Sequence, residues 1–215
     1  MQRTGREVAV RAIIYGTLGF RASLEVTEHP RCKELCARLL PWLEQVGLGN
    51  HIEAIHREIL QSPHASLAPD LRREAYWRGE AAALLGWVIQ ILDRPNPTER
   101  IDPGLLLSGL RILEPTVCEL LSTAKLRPQD EIDDYCAFCM TVRHQRELST
   151  LDEDGQATLR RIHQSRFLEL GLGEAVHRLD GVKVEATTSA STATGVMGLY
   201  VVRALAAEWL LGTDE

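Results

Sequence analysis

Recognisable catalytic and cofactor motifs are missing from this chain of 215 residues. It has no His-Glu-x-x-His metalloprotease motif, no Gly-x-Ser-x-Gly nucleophile elbow and no nucleotide phosphate loop. Gly16-x-x-Gly19 and Gly171-x-Gly173 lack the strand–turn–helix context in which glycine-rich loops bind phosphate or a dinucleotide. The sequence therefore identifies no activity by itself, and we expect no cofactor.

Aromatic residues and long apolar segments are also scarce, and acidic residues outnumber basic ones. Aromatic residues make up 5% of the chain while Leu and Ala are abundant, which favours packed helices over sheets. The formal net charge of -6 argues against a nucleic-acid partner and suits a basic protein partner. Charged residues interrupt the apolar runs near the N-terminus, so we predict neither a secretory signal nor a membrane span. We expect a cytoplasmic protein.

The five cysteines form an odd set, which is atypical of a disulfide framework. Cys136-x-x-Cys139 and His144 supply three potential metal ligands, but a structural zinc site usually places such a pair on a tight turn and needs a fourth ligand. The pair lies within a predicted helix instead, like Cys32 and Cys36. We therefore predict buried, reduced and inert thiols with no bound metal.

Helical periodicity and capping residues predict an all-α single domain over residues 1–215, a bundle of eight or nine helices. Asn50 with Glu53 forms a candidate capping box, and Gly16 and Gly19 allow a neighbouring helix to approach closely. The Ser/Thr-rich composition of residues 180–194 predicts a mobile loop, in which Val182 and Val184 allow a short strand or hairpin. The predicted helices cover residues 6–23, 31–46, 50–61, 70–92, 104–113, 115–124, 128–148, 152–170 and 196–211.

The helix predicted over residues 70–92 carries the most unusual side chain. Trp77, Leu84, Trp87 and Ile91 fall on one helical face, and Glu80 lies on the same face. Burial of a carboxylate is costly unless the group is paired, hydrogen-bonded or neutral. We therefore expect Glu80 to be buried with a partner.

Two arginines on later helices are the expected partners. Arg143 shares a face with Cys136 and Cys139, and Arg203 lies beside the apolar face that contains Trp209. The favoured interpretation is that Glu80 pairs with one of them. The predicted structural network comprises Trp77, Arg78, Glu80, Trp87, Arg143, Arg203 and Trp209.

Two groups of acidic residues begin predicted helices, where carboxylates complement the helix dipole. Alternatively, they form a docking patch for a basic partner, because opposite charge accelerates association and orients the complex. The residues concerned are Asp130, Glu131, Asp133, Asp134, Asp152, Glu153 and Asp154.

At Trp77-Arg78-x-Glu80-Ala81 and Leu84-Leu85-x-Trp87, the chain resembles the bacterial domain-of-unknown-function family 4272. Similar stretches follow the same order, from Arg6-Glu7-Val8-Ala9-x-Arg11-Ala12 to Trp209-Leu210-Leu211. The chain departs from the family pattern at Cys139-Met140, where the family tends to have His-Trp, and at Glu208, where Asn is more usual. The resemblance implies a helical fold and no particular activity.

Two functional hypotheses follow. The first is a non-catalytic interaction module, most concretely an immunity or antitoxin-like protein that binds and blocks a basic bacterial toxin domain. The alternative is a helical, hydrolase-like enzyme. In that hypothesis Glu80 acts as general acid or base in a tryptophan-lined cleft with Arg78 and Arg143, or with His144.

Overall fold

The computed structural model describes residues 3–28, 30–96, 99–148, 151–179 and 190–212. Within these ranges the regular structure is ten α-helices and one 3₁₀ turn, Gly49–His51, with no β-strand. The all-α prediction is confirmed. The α-helices, α1 to α10, are Gly5–Val26, Cys32–Gln45, Ala54–Gln61, Pro69–Val88, Pro103–Gly109, Val117–Thr123, Gln129–Leu148, Glu153–Glu169, Gly173–Leu179 and Ala190–Leu210.

The helices fall into two compact units, where the sequence predicts one domain over residues 1–215. The N-terminal unit comprises Thr4–Leu126, and the C-terminal unit comprises Arg127–Glu215 together with Met1–Arg3. Each unit has its own set of buried residues.

In the N-terminal unit, α1 is the central helix and packs most extensively against α4. A reciprocal capping box starts α1, with the Thr4 hydroxyl accepting from the Glu7 backbone N–H at 3.2 Å. Gly19 lies so close to α4 that an added Cβ would be 2.5 Å from Cα of Gly79. The predicted close approach of a neighbouring helix is confirmed at Gly19.

Several predicted helix boundaries in this unit are wrong. The helix predicted over 70–92 ends at Val88, so Ile91 lies outside the helical face assigned to it. The helix predicted over 104–113 ends at Gly109. Helix α3 starts at Ala54 after an N-cap at Glu53, because Asn50 belongs to the preceding 3₁₀ turn instead of capping the helix.

In the C-terminal unit, α7 packs against α10, α9 and α8. Helix α9 is absent from the sequence prediction. Helix α10 begins at Ala190, so residues 190–194 of the predicted loop are helical, and residues 180–189, including Val182 and Val184, lie outside the described residues. A core cluster joins α7, α8, α9 and α10 through Ala137, Met140, Phe167, Leu172, Ala175 and Ala204.

None of the helices in the described ranges is both long enough and apolar enough to cross a membrane.

Candidate functional site

Glu80 on α4 is completely buried, with 0% of its surface exposed. Its Oε1 accepts the Ile101 backbone N–H at 3.0 Å, which fixes the segment that leads into α5. One turn earlier, Tyr76 hydrogen-bonds Glu80 and Arg100. Burial first, and then the negative charge of Glu80, raises the pKa of the Tyr76 hydroxyl. The buried position predicted for Glu80 is confirmed, with a backbone amide and a phenol around it.

The two arginines predicted to pair with Glu80 belong to the C-terminal unit, so this pairing stays a prediction. In its own unit, Arg143 donates from Nε to Glu147 Oε1 at 2.8 Å and lies 3.5 Å from Glu208. Arg203 on α10 is buried, with 1% of its surface exposed. The guanidinium of Arg3 lies over the Trp209 ring, 4.8 Å from its centroid.

Arg78 takes part in a polar cluster around Tyr15 of α1. Nη1 of Arg78 and Nε of Arg11 both donate to the Tyr15 hydroxyl oxygen, at 3.0 and 2.9 Å. Arg78 also donates to Glu74 Oε1 at 2.6 Å. Burial raises the pKa of Tyr15, against the lowering effect of the two guanidinium charges. Of the two tryptophans in the predicted network, Trp87 is buried and Trp77 is half-buried.

His56 of α3 packs edge-on against Tyr15, with ring centroids 5.5 Å apart. Its Nδ1 lies 3.7 Å from Glu53 Oε2, and its Nε2 is buried without a hydrogen-bond partner in the described structure. Burial lowers the pKa of His56, and the charge of Glu53 only partly opposes this. This ring is therefore held in its neutral form at neutral pH.

The C-terminal unit contains an open groove of about 640 Å³ between α7, α8 and α10. Its lining combines equal numbers of arginines and glutamates with two apolar side chains, Leu159 and Ile162. The side chains that define its chemistry are Arg143, Glu147, Ile162, His163, Arg166 and Glu208.

Ion pairs and a pair of imidazoles connect the three helices around this groove. His163 Nε2 lies 3.1 Å from Glu147 Oε2. Arg166 Nη2 lies 3.6 Å from Glu208 Oε2. The rings of His144 on α7 and His163 on α8 have centroids 4.1 Å apart. We call Arg143, His144, Glu147, His163, Arg166 and Glu208 the groove network.

Two members of this network, His144 and Glu147, have pKa values shifted by their surroundings. Burial, followed by the positive charge of His163, lowers the pKa of His144 to about 4. Burial acts to raise the pKa of Glu147, but the hydrogen bonds and charges of Arg143 and His163 outweigh it and lower that pKa. At neutral pH the network thus holds a neutral imidazole beside an ionised carboxylate that orients a second imidazole.

The predicted acidic residues form two separate surfaces. Asp130 and Glu131 are exposed in the first turn of α7, and Asp133 and Asp134 are half-buried one turn later. Asp152, Glu153 and Asp154 are exposed at the start of α8, where the Asp152 side chain caps the Gly155 N–H at 2.9 Å.

The direction of α8 explains this separation. Phe167 shares a core with Met140 while His163 meets Glu147, so α8 runs antiparallel to α7. A 20-residue helix such as α7 is about 30 Å long, which places the two acidic clusters at opposite ends of this helix pair. One continuous acidic patch is therefore not formed.

The cysteine prediction is confirmed as far as burial is concerned. Cys32, Cys36, Cys136 and Cys139 are free and buried, whereas Cys118 is free and exposed. Among the residues that the structure describes, no group of three or more His, Cys, Asp or Glu side chains is arranged to hold a metal ion.

Sequence reasoning missed the groove as a site. It singled out Arg143 and His144 but did not join them to Glu147, His163, Arg166 and Glu208. The available signal was the spacing of His163 and Arg166, which places two polar groups on the narrow face of α8 that turns inward.

Comparison with protein-family models, with curated proteins and with solved structures finds no match to this chain.

Proposed function

We propose that this chain is a non-catalytic, cytoplasmic protein-binding module of the immunity or antitoxin type, and that α8 is its binding element. One observation carries the proposal: α8 has 17 residues, and Phe167 is its only buried side chain. A helix that buries so little of its surface in its own unit has an outer face available to a partner.

The exposed face of α8, part of which also lines the groove, has a mixed chemistry that suits a basic protein. Asp154, Thr158, Ile162, Ser165 and Glu169 recur at helical spacing and are all exposed. Ile162, in the centre of this stripe, is 59% exposed. We call these five residues the α8 stripe. A partner that presents an apolar pocket surrounded by Lys and Arg complements it.

Charge supports the same choice of partner. Asp152 and Glu153 extend the acidic end of the α8 stripe, and the whole chain carries a formal net charge of -6. Opposite charge on the partner accelerates association and selects its orientation. A basic toxin domain has the required charge, and occlusion of its active surface by α8 would block it.

The groove network favours a second candidate function, acid–base catalysis in a hydrolase-like enzyme. The supporting geometry is the 3.1 Å contact of His163 with Glu147, since a carboxylate that orients an imidazole is a recurrent general-base arrangement. Glu80 is a poorer candidate than His163 because its complete burial denies it contact with a substrate. Hydrolysis of a p-nitrophenyl ester that disappears in H163Q but persists in E80Q would support this second candidate.

The relationship to the bacterial domain-of-unknown-function family 4272 is also a proposal. It rests on the Trp77-Arg78-x-Glu80-Ala81 motif, whose Glu80 anchors the chain at Ile101. The motif is thereby explained by folding, and it requires no shared chemistry.

Co-expression with the products of neighbouring genes tests the principal proposal. We expect one neighbour to inhibit growth when expressed alone and to be neutralised by this chain. We further expect the purified pair to bind more weakly at 0.5 M than at 0.1 M salt, because exposed charges are screened. If no neighbour forms a stable complex and none is neutralised, the proposal is wrong.

Two variants with matched changes of charge test which surface binds the partner. E153Q/D154N removes two charges from the start of α8, and D130N/E131Q removes two from the start of α7. Both pairs lie in a first helical turn, so their effects on the helix dipole are similar. We expect the α8 variant to slow association severalfold and the α7 variant to leave the rate unchanged. Equal effects would place the interface elsewhere.

A further inference from the structure

The face by which α8 attaches to its unit is unusually polar. Gln156, Leu159, His163 and Arg166 turn inward and are half-buried, and Phe167 supplies the one buried apolar side chain. Ion pairs and the contact between the His144 and His163 rings therefore contribute much of what holds this helix against α7. Such contacts respond to protonation, whereas apolar packing does not.

The two imidazoles are the sensitive part of this attachment. The His144 and His163 rings have centroids only 4.1 Å apart. Two imidazolium rings at that distance repel each other. In addition, Nδ1 of His144 is buried and has no hydrogen-bond partner in the described structure, so a proton added there lacks an acceptor.

The charges around the pair do not offset a proton added to His144. Glu147 acts on His144 from α7 and Arg160 from α8, while Arg143, Arg166 and Glu208 form the ion pairs beside them. These are three guanidinium groups against two carboxylates. Arg161 and Glu169, which complete the charged lining of the groove among the described side chains, leave that balance unchanged.

We propose that the His144–His163 pair is a pH-sensitive latch that holds α8 against α7 at neutral pH and releases it under mild acid. Release exposes the apolar surface that Phe167 shares with Met140. It also frees the α8 stripe from its fixed orientation. The latch needs no partner, so it is tested on the chain alone, and its failure is distinguishable from failure of the proposed binding function.

The direction of the pH effect follows from linkage. The pKa of His144 is lowered to about 4 in the docked state, and a released imidazole titrates near 6.5. Between these values the released state binds more protons, so acid favours release. The equilibrium for release rises by up to about tenfold per pH unit for one linked proton, and it levels off above pH 6.5.

Hydrogen exchange of the intact chain, measured by mass spectrometry at pH 7.5 and 5.5, tests the latch. Peptides from α8 are compared with peptides from α1, after correction for the intrinsic pH dependence of exchange. We expect the protection of α8 to fall about tenfold more than that of α1, since one pH unit of the interval lies below 6.5. Equal changes in both helices would overturn the proposal.

Substitutions of His144 and His163 test whether this pair causes the loss of α8 protection in acid. H144Q keeps a polar side chain that cannot titrate, and we expect it to abolish the additional loss of α8 protection at pH 5.5. The matched control is H51Q, at an exposed histidine in the 3₁₀ turn of the N-terminal unit, which keeps the loss. If H144Q already weakens α8 at pH 7.5, then H163Q is the second variant. It removes the repulsion between the rings but leaves His144 buried, so we expect a reduced acid response. A full acid response in both H144Q and H163Q contradicts the latch.

Discussion

Gly19 of α1 and Gly79 of α4 lie against each other where the two helices cross. A Cβ added to Gly19 would be 2.5 Å from Cα of Gly79, and a Cβ added to Gly79 would be 2.9 Å from Cα of Gly19. Side chains are excluded from both positions, because the obstructing atoms are backbone and cannot rotate away. This contact sets the distance between the two helices that pack most extensively in the N-terminal unit.

Replacement of either glycine should therefore destabilise the protein. G79A gains roughly 1 kcal/mol in helix propensity. It must also force the helices apart, and overpacking costs about 1–3 kcal/mol, occasionally more. We expect a net loss of up to about 2 kcal/mol in urea unfolding. G173A is the matched control, because its new Cβ would lie 3.4 Å from Leu168 Cδ2, and it should cause no loss. Equal stability of both variants would contradict the crossing geometry.

Arg21 and Glu25 form an ion pair that is almost completely buried, with 0% and 4% of their side chains exposed. Arg21 also donates to the Ser62 and Pro63 carbonyls, both at 3.0 Å. Removal of one member of such a pair leaves the other charge buried and typically costs about 3–5 kcal/mol. We expect E25A to lose that much stability in chemical denaturation, and the joint variant R21M/E25L to lose less. A larger loss in the joint variant would contradict this account.

Glu25 also predicts acid sensitivity. Burial opposes ionisation of Glu25, but hydrogen bonds from Arg21 and from the Ala65 and Leu67 amides outweigh it and lower its pKa below 4.5. The stabilisation that ionised Glu25 provides is complete above pH 4.5, and it is lost as the pH falls through the lowered pKa of Glu25. Between pH 6 and 3, the free energy of unfolding of R21M/E25L should therefore fall less steeply than that of the unchanged protein. Identical slopes would exclude Glu25 as a cause.

Tyr15 accepts hydrogen bonds from two guanidinium groups, those of Arg11 and Arg78. Y15F keeps the aromatic ring but removes the hydroxyl oxygen. The half-buried guanidinium groups of Arg11 and Arg78 then lose the acceptor that they share. We expect a cost of about 1–3 kcal/mol in thermal or urea unfolding. Addition of R78M to Y15F should cost less than the sum of the two single changes, because both remove the same hydrogen bond. Strict additivity would show that the contact contributes nothing.

His56 should make the N-terminal unit less stable in mild acid. Its pKa is lowered by burial, so the unfolded chain binds the proton more readily than the folded one. Stability contributed by the neutral ring is complete above about pH 6.5 and declines below it. We expect H56L to flatten the dependence of unfolding free energy between pH 7.5 and 5.5. H51Q serves as the exposed control, and an unchanged slope in H56L would refute the assignment.

The helix ends show what could be predicted from sequence. Helices α2 and α8 end where Gly47 and Gly171 adopt positive φ values of 80° and 73°, and glycine at that position is a recognisable stop signal. Helices α4 and α5 end with the same hydrogen-bond pattern, but Gln90 and Arg111 occupy the position with φ values of 63° and 53°. Their predicted ends were therefore too late.

Tertiary contacts explain why Gln90 tolerates that conformation. Its side chain donates to the Leu126 carbonyl at 3.0 Å, far along the chain, and no local pattern encodes this bond. The short helix α9 depends in the same way on burial of Leu172 and Ala175 in the C-terminal core. The burial of Glu80 was predictable from the helical face it shares with Leu84, whereas its bond to the Ile101 amide was not.

The proposal that α8 binds a basic partner is tested most directly by calorimetric titration with a neighbouring gene product that this chain neutralises. I162E places a charge in the α8 stripe, and I55E changes an isoleucine that is 43% exposed on α3. We predict saturable binding that I162E weakens about 30-fold or more, as expected for a central interface residue, and that I55E preserves. Absence of binding, or equal affinities for the two variants, would contradict the account.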